Sequence, residues 1–81
     1  MQEQLLNRLQ QVFRHVFKDE YLVITGNTSA RDIKIWDSLT HLELISSVED
    51  EFGFKFSFAE VMKFNTVGDM LIVIEKSMSN R

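Results

Sequence analysis

Leu5, Leu6, Leu9, Val12, Phe13, Val16 and Phe17 stand one or three residues apart. That spacing lays all seven on one face of a helix about 14 residues long, with Gln, Asn, Arg and His on the other face. We therefore read a helix over about residues 2–18. The period returns at Leu39, Leu42, Ile45, Val48 and Phe52, and again at Val67, Met70, Leu71, Ile74 and Met78. Between the first two helices, "DEYLVITGNTSARDIKIW" has no helical period. "YLVIT" has the composition of a short strand, but no second strand is visible to pair with it. Gly26-Asn27 is a turn signal. The segment reads as a long structured loop pinned to the core by Tyr21, Leu22, Ile24, Ile33, Ile35 and Trp36. A loop of that length in a small domain is often functional.

Local signals set the helix ends. Asp37 or Ser38 fits the N-cap of a helix over about residues 38–52, and Thr40 with Glu43 fits a capping box two residues later. Gly53 ends that helix as a left-handed residue. Ser57 with Glu60 is a second capping box, with Phe56 and Val61 as its hydrophobic staple, opening a short helix over about residues 58–63. Thr66 caps a last helix that runs to about residue 78, after which "SMSNR" frays. The expected fold is all-α: a single domain over residues 1–81, a small four-helix bundle with a long first loop and a short third helix.

The composition narrows the chemistry. With no cysteine the chain has no disulfide, no thiolate ligand and no thiol nucleophile. Two lone histidines, His15 and His41, do not make a metal site. No apolar run reaches the roughly 18 residues of a membrane span, and the N-terminus lacks signal-peptide character, so a cytoplasmic location is expected. Net charge is −3, unevenly spread. Asp37, Glu43, Glu49, Asp50 and Glu51 fall within residues 37–54, where there is no basic residue, whereas residues 1–36 and 55–81 are each net +1. Such a surface attracts a basic partner and repels nucleic acid. Glu49, Asp50 and Glu51 also sit where carboxylates oppose the helix dipole, by about 0.3–1 kcal/mol each, which points to a recognition face.

Ser38 has three readings: an N-cap, a catalytic nucleophile, or a modification site. A nucleophile needs a base and an orienting group. His41, one turn along, is within reach, but no Gly-x-Ser-x-Gly elbow or oxyanion donor pattern surrounds Ser38. The chain is therefore read as a non-enzyme. The third reading rests on a resemblance. Asp37-Ser38-Leu39 resembles the Asp-Ser-Leu motif of acyl carrier proteins, and "DSLTHLELISSVEDEFGFKFSFAEVMKFNTVGDMLIVIEK" is similar to that family along its length. Glu43 falls at the family's second-helix glutamate, "VEDEFG" at its acidic helix end, and Thr66-Val67 at the start of its last helix.

The resemblance implies that Ser38 receives 4′-phosphopantetheine from coenzyme A, with Asp37, Leu39 and Trp36 beside the attachment point. It implies a docking helix presenting Leu39, His41, Glu43, Ser46, Ser47, Glu49 and Asp50 to a phosphopantetheinyl transferase and to acyl-loading and acyl-transferring enzymes with basic patches. It also implies a monomer that binds no nucleic acid and serves fatty-acid, polyketide or related acyl metabolism. Aminoacyl or peptidyl carriers, D-alanyl carriers among them, are the nearest alternative; an unmodified interaction module with the same fold is another. Trp36, His41, Ser46 and Ser47 differ from what housekeeping fatty-acid carriers commonly have, which favours a stand-alone carrier of a specialised pathway. Trp36 is expected to cover the end of the core, or else to form a wall for the arm, and His41 to face solvent. Phe52, Phe54, Phe56, Phe58 and Phe64 are expected in the core, lining or blocking any channel for an acyl chain, so that long chains are poorly sequestered.

Overall fold

A computed structural model describes residues 2–33 and 36–79, with only the backbone described for Gln2 and Ser79. It contains four helices, α1 (Gln2–Phe17), α2 (Ser38–Phe52), α3 (Phe58–Lys63) and α4 (Val67–Ser79), and no strand among the described residues beyond one isolated bridge between Ser29 and Thr66. The all-α bundle and its short third helix match the periodicity. The last helix runs to Ser79, one residue past its expected end, so Ser77 and Met78, expected to fray, are helical; Asn80 and Arg81 lie outside the described residues.

The core is apolar throughout. Leu9, Phe13, Leu44, Val48, Val67, Met70 and Ile74 have no more than traces of exposed surface, and no polar or charged side chain among the described residues is buried. α1 packs on α2 and α4. Left-handed residues close α1 and α2, and capping boxes open α2 and α3. α1 ends one residue earlier than its periodicity implied, because Lys18 turns left-handed at φ 55°. Lys18 N–H then donates to the His15 carbonyl at 3.4 Å and Asp19 N–H to the Arg14 carbonyl at 3.0 Å, which is the Schellman pattern built on a lysine. α2 ends at Gly53, φ 73°, whose N–H donates to the Glu49 carbonyl at 2.8 Å. Ser57 and Glu60 form their expected reciprocal box at the start of α3.

The long loop is held by side chains of α1 and by the N-terminus of α4. Gln10 Oε1 accepts the Ile24 N–H at 3.0 Å, and Arg14 Nε donates to the Leu22 carbonyl at 2.7 Å. The first free N–H groups of α4 are met by the loop backbone: Val67 donates to the Thr28 carbonyl at 2.8 Å and Gly68 to the Gly26 carbonyl at 2.9 Å. Ile24, Ile33 and Trp36 are buried as expected and Leu22 is half-buried, but Tyr21 is 84 % exposed and pins nothing. Ile35 lies outside the described residues.

Gly68 marks the closest approach. A Cβ there would meet the Gly26 carbonyl oxygen at 2.8 Å, and that oxygen is a backbone atom that cannot rotate away. Gly→Ala inside a helix ordinarily stabilises by about 1 kcal/mol. Here Gly68→Ala is expected to destabilise by about 1–3 kcal/mol, as overpacking does, read as a lower midpoint in urea. A stabilised variant would show that the loop is not clamped to α4.

Candidate functional site

Asp37 decides where α2 begins. Its backbone is extended, and its Oδ1 accepts the Thr40 N–H at 3.0 Å. Thr40 Oγ1 in turn accepts the Asp37 N–H at 2.8 Å. This is a capping box with threonine in the usual Glu or Gln place, and it selects Asp37 over the alternative start at Thr40. Ser38 thereby becomes the first helical residue, where a side chain is not needed for capping. It is exposed, and its hydroxyl has no hydrogen-bond partner among the described residues. The bonds from the Thr40 N–H first, and then from the Thr40 hydroxyl, hold the Asp37 carboxyl below the usual aspartate range. A lowered native value means that the cap contributes fully above the unfolded-state value. That contribution is lost as pH falls through the native value. The wild type is therefore expected to lose more thermal stability between about pH 5 and pH 2 than Asp37→Asn, which has no carboxylate to protonate. Equal losses would remove this role from Asp37.

Trp36 and His41 flank the serine and touch each other. The indole Nε1–H donates to His41 Nδ1 at 3.0 Å, and the two rings lie 20° from parallel with centroids 6.0 Å apart. Trp36 is 8 % exposed and packs edge-on against Phe13 at 5.4 Å. It therefore covers the end of the core, as expected, and also borders the site. His41 departs from expectation: it is half-buried against the indole and does not simply face solvent. The expectation used sequence position alone, which does not reveal a ring waiting behind it. With Nδ1 committed to Trp36, no carboxylate orients His41, so Ser38 and His41 lack the third member of a catalytic triad.

A groove of about 820 Å³ opens beside Ser38 between the loop, α2 and α3. Trp36, His41, Ile45, Phe56, Phe58 and Met62 are among its walls. Phe52 and Phe56 are core, as expected, and Phe54 and Phe64 are half-buried. Phe58 is the exception at 81 % exposure, because the six residues of α3 bury none of their number. The groove can receive a slender, partly apolar group tethered at Ser38, and the unobstructed hydroxyl suits a phosphodiester linkage. Those features fit a phosphopantetheine arm.

The expected docking residues divide. Leu39, Glu43, Ser46 and Asp50 are exposed, Leu39 at 67 %, and Ser47 is half-buried. Leu42, absent from the expected set, is 63 % exposed on the same face. Its place in the apolar period of α2 disguised it as core. Glu49 is turned inward: its Oε2 accepts the Phe56 N–H at 2.8 Å, its Oε1 lies 3.9 Å from Lys55 Nζ, and its side chain is 15 % exposed. Glu51 pairs with Arg8 Nε at 3.1 Å, while Arg8 also donates to the Glu51 carbonyl at 2.9 Å and lies over the Phe52 ring. Arg8 thus offsets the unfavourable dipole placement that had pointed to recognition. A second groove, about 530 Å³, runs from His15 and Val16 of α1 and the following Lys18 to Leu39 and Glu43 of α2. The face around Ser38 is therefore apolar with mixed charge, and less acidic than the sequence implied.

Among the described residues no cluster of His, Asp and Glu could hold a metal ion, and no helix is long and apolar enough to cross a membrane.

Comparison with known proteins agrees with this geometry. The family described as "Phosphopantetheine attachment site" matches residues 7–74. An acyl carrier protein of Lactobacillus acidophilus is 31 % identical over 74 residues, covering 91 % of this chain and 92 % of that one. An acyl carrier protein of Thermotoga maritima is 43 % identical over 42 residues, 52 % of each chain. The solution structure of a holo acyl carrier protein from Geobacter metallireducens superposes with a TM-score of 0.87 at 41 % identity, covering 93 % of this chain and 86 % of that one. The chain belongs to the acyl carrier protein family, whose members are carriers and not catalysts and bear a covalent 4′-phosphopantetheine.

Proposed function

We propose that Ser38 is the attachment residue and that the chain, acting as a single domain and a monomer in the cytoplasm, presents an acyl group to partner enzymes. The observation that carries this reading is the exposed Ser38 hydroxyl at the start of α2, unpartnered among the described residues, beside an apolar groove. The arm supplies a thiol, which this cysteine-free chain lacks, and the acyl group rides on it as a thioester. The chain's own residues do three things. Asp37 and Thr40 fix the helix start so that Ser38 projects outward. The positive dipole end of α2 favours the negative charge of the linkage. Leu39 and Leu42, with Glu43, Ser46, Ser47 and Asp50 around them, meet a phosphopantetheinyl transferase and the acyl-loading and acyl-transferring enzymes. Partner cations address Glu43 and Asp50; Glu49 serves mainly the turn before α3.

We further infer a stand-alone carrier of a specialised lipid, polyketide or related acyl pathway. Its modest net charge of −3 and its Trp36–His41 pair support that reading. The groove lies outside the packed core, which supports the expectation that long chains are poorly sequestered. The test is loading. Arm-bearing protein is offered fatty acids with an acyl-carrier ligase, and amino acids including D-alanine with adenylating enzymes, and each product is weighed intact. Gain of a fatty acyl group is expected. Gain of an amino acid alone would assign the chain to the aminoacyl carriers.

A further inference from the structure

The imidazole of His41 has one nitrogen left with which to donate. Nδ1 accepts the Trp36 indole N–H at 3.0 Å, and an indole nitrogen only donates. Nδ1 therefore carries no proton, and the neutral ring is held as the Nε2–H tautomer. The ring plane is fixed as well. It lies edge to edge with, and 20° from the plane of, an indole that is 8 % exposed and backed by Phe13 at 5.4 Å and Phe17 at 6.0 Å. A chain of four aromatic rings thus runs from the core of α1 to the rim of the site. His41 stands three residues after Ser38 in α2, and both border the same groove. Helical side chains lean back over the preceding turn, which here is the turn that begins with Ser38. Asp37 is the carboxylate at that rim, and its oxygen is engaged by Thr40.

We infer that His41 is a positioning residue for the prosthetic arm: its Nε2–H donates to the anionic phosphodiester on Ser38 and lays the arm along the groove. A bond to a charged acceptor is the stronger kind, and a donor whose ring is already held by the buried indole loses little freedom in making it. This inference rests on Ser38 being the attachment residue.

The test begins with purified protein, coenzyme A and a phosphopantetheinyl transferase, and an intact mass that registers one added arm. On that product, nitrogen-15 correlation of the imidazoles near pH 8 reads the His41 tautomer. Phosphorus-31 spectra compare the wild type with His41→Phe, which keeps an aromatic ring but no donor, and His41→Gln, whose amide N–H can reach a similar place. The expected results are a proton on Nε2, a displaced phosphorus resonance in the phenylalanine variant, and its return toward the wild-type position in the glutamine variant. Trp36→Phe, which removes the indole donor, should release the ring to both tautomers. A merely structural histidine would leave the phosphorus resonance unmoved. That result in folded variants, or a proton on Nδ1, would overturn the role of His41 while leaving Ser38 as the attachment site. Absence of added mass would overturn both readings at once.

Discussion

Phe13→Ala is expected to remove about 3–5 kcal/mol of unfolding free energy, the range for deleting a buried aromatic ring and leaving its cavity. Phe13 has no exposed surface and touches both Phe17 and Trp36. Few neighbours can collapse into the space it leaves, because the rings around it are rigid and mutually packed. At about 0.05–0.15 kcal/mol per residue, a domain of this size holds roughly 4–12 kcal/mol in total, so the variant should be marginal or unfolded. The fall in Tm should be on the order of 20 °C. Trp36, the one tryptophan in the sequence, reports the change directly by its fluorescence. The loss reaches function because Phe13 backs the indole that in turn orients His41. A cost below about 1 kcal/mol would mean that the ring is not the centre of this core.

The second large effect is expected at the docking face, with the opposite signature. Leu39→Ala combined with Leu42→Ala should leave stability within about 0.5 kcal/mol of wild type, since both side chains are mostly exposed. The same pair should lower kcat/KM for transfer of the arm by about tenfold or more, because apolar anchors at the centre of an interface carry a disproportionate share of the binding energy. Glu43→Lys should act more weakly, slowing association a few-fold and flattening its dependence on salt, as rim charges do. The mixed charge of Lys18 beside Glu43 predicts a modest salt dependence even in the wild type. Normal transfer by the double leucine variant would move the docking surface elsewhere.

These two effects separate what could be read in the sequence from what could not. The choice among Asp37, Ser38 and Thr40 at the start of α2 needed the structure, but the bounds of α2 and α3 and the caps at Ser57 and Thr66 follow from signals spanning three or four residues. They were legible because helix period and capping chemistry are local. Contacts between distant segments were not legible. Arg8 reaches Glu51 across 43 positions, and only that contact shows the acidic end of α2 to be partly neutralised within the fold. Glu49 looked like a docking carboxylate because nothing in its neighbourhood announces that the Phe56 N–H needs an acceptor. Phe58 was read as core because phenylalanine usually is, yet a helix of six residues bridging two loops has no buried face to offer it. Leu42 shows the converse: it keeps the core period of α2 but falls beyond the edge of α1, where the groove leaves it open. Trp36 and His41 were both singled out, but their mutual hydrogen bond was not, since it depends on how the loop delivers the indole to the helix.

The most direct measurement of the central claim is an intact mass taken after the chain is incubated with coenzyme A and a broad-specificity phosphopantetheinyl transferase, beside Ser38→Ala treated in the same way. One added phosphopantetheine is expected on the wild type and none on the alanine variant, with both proteins folded. An unmodified wild type, or an alanine variant that gains the same mass, would contradict that claim.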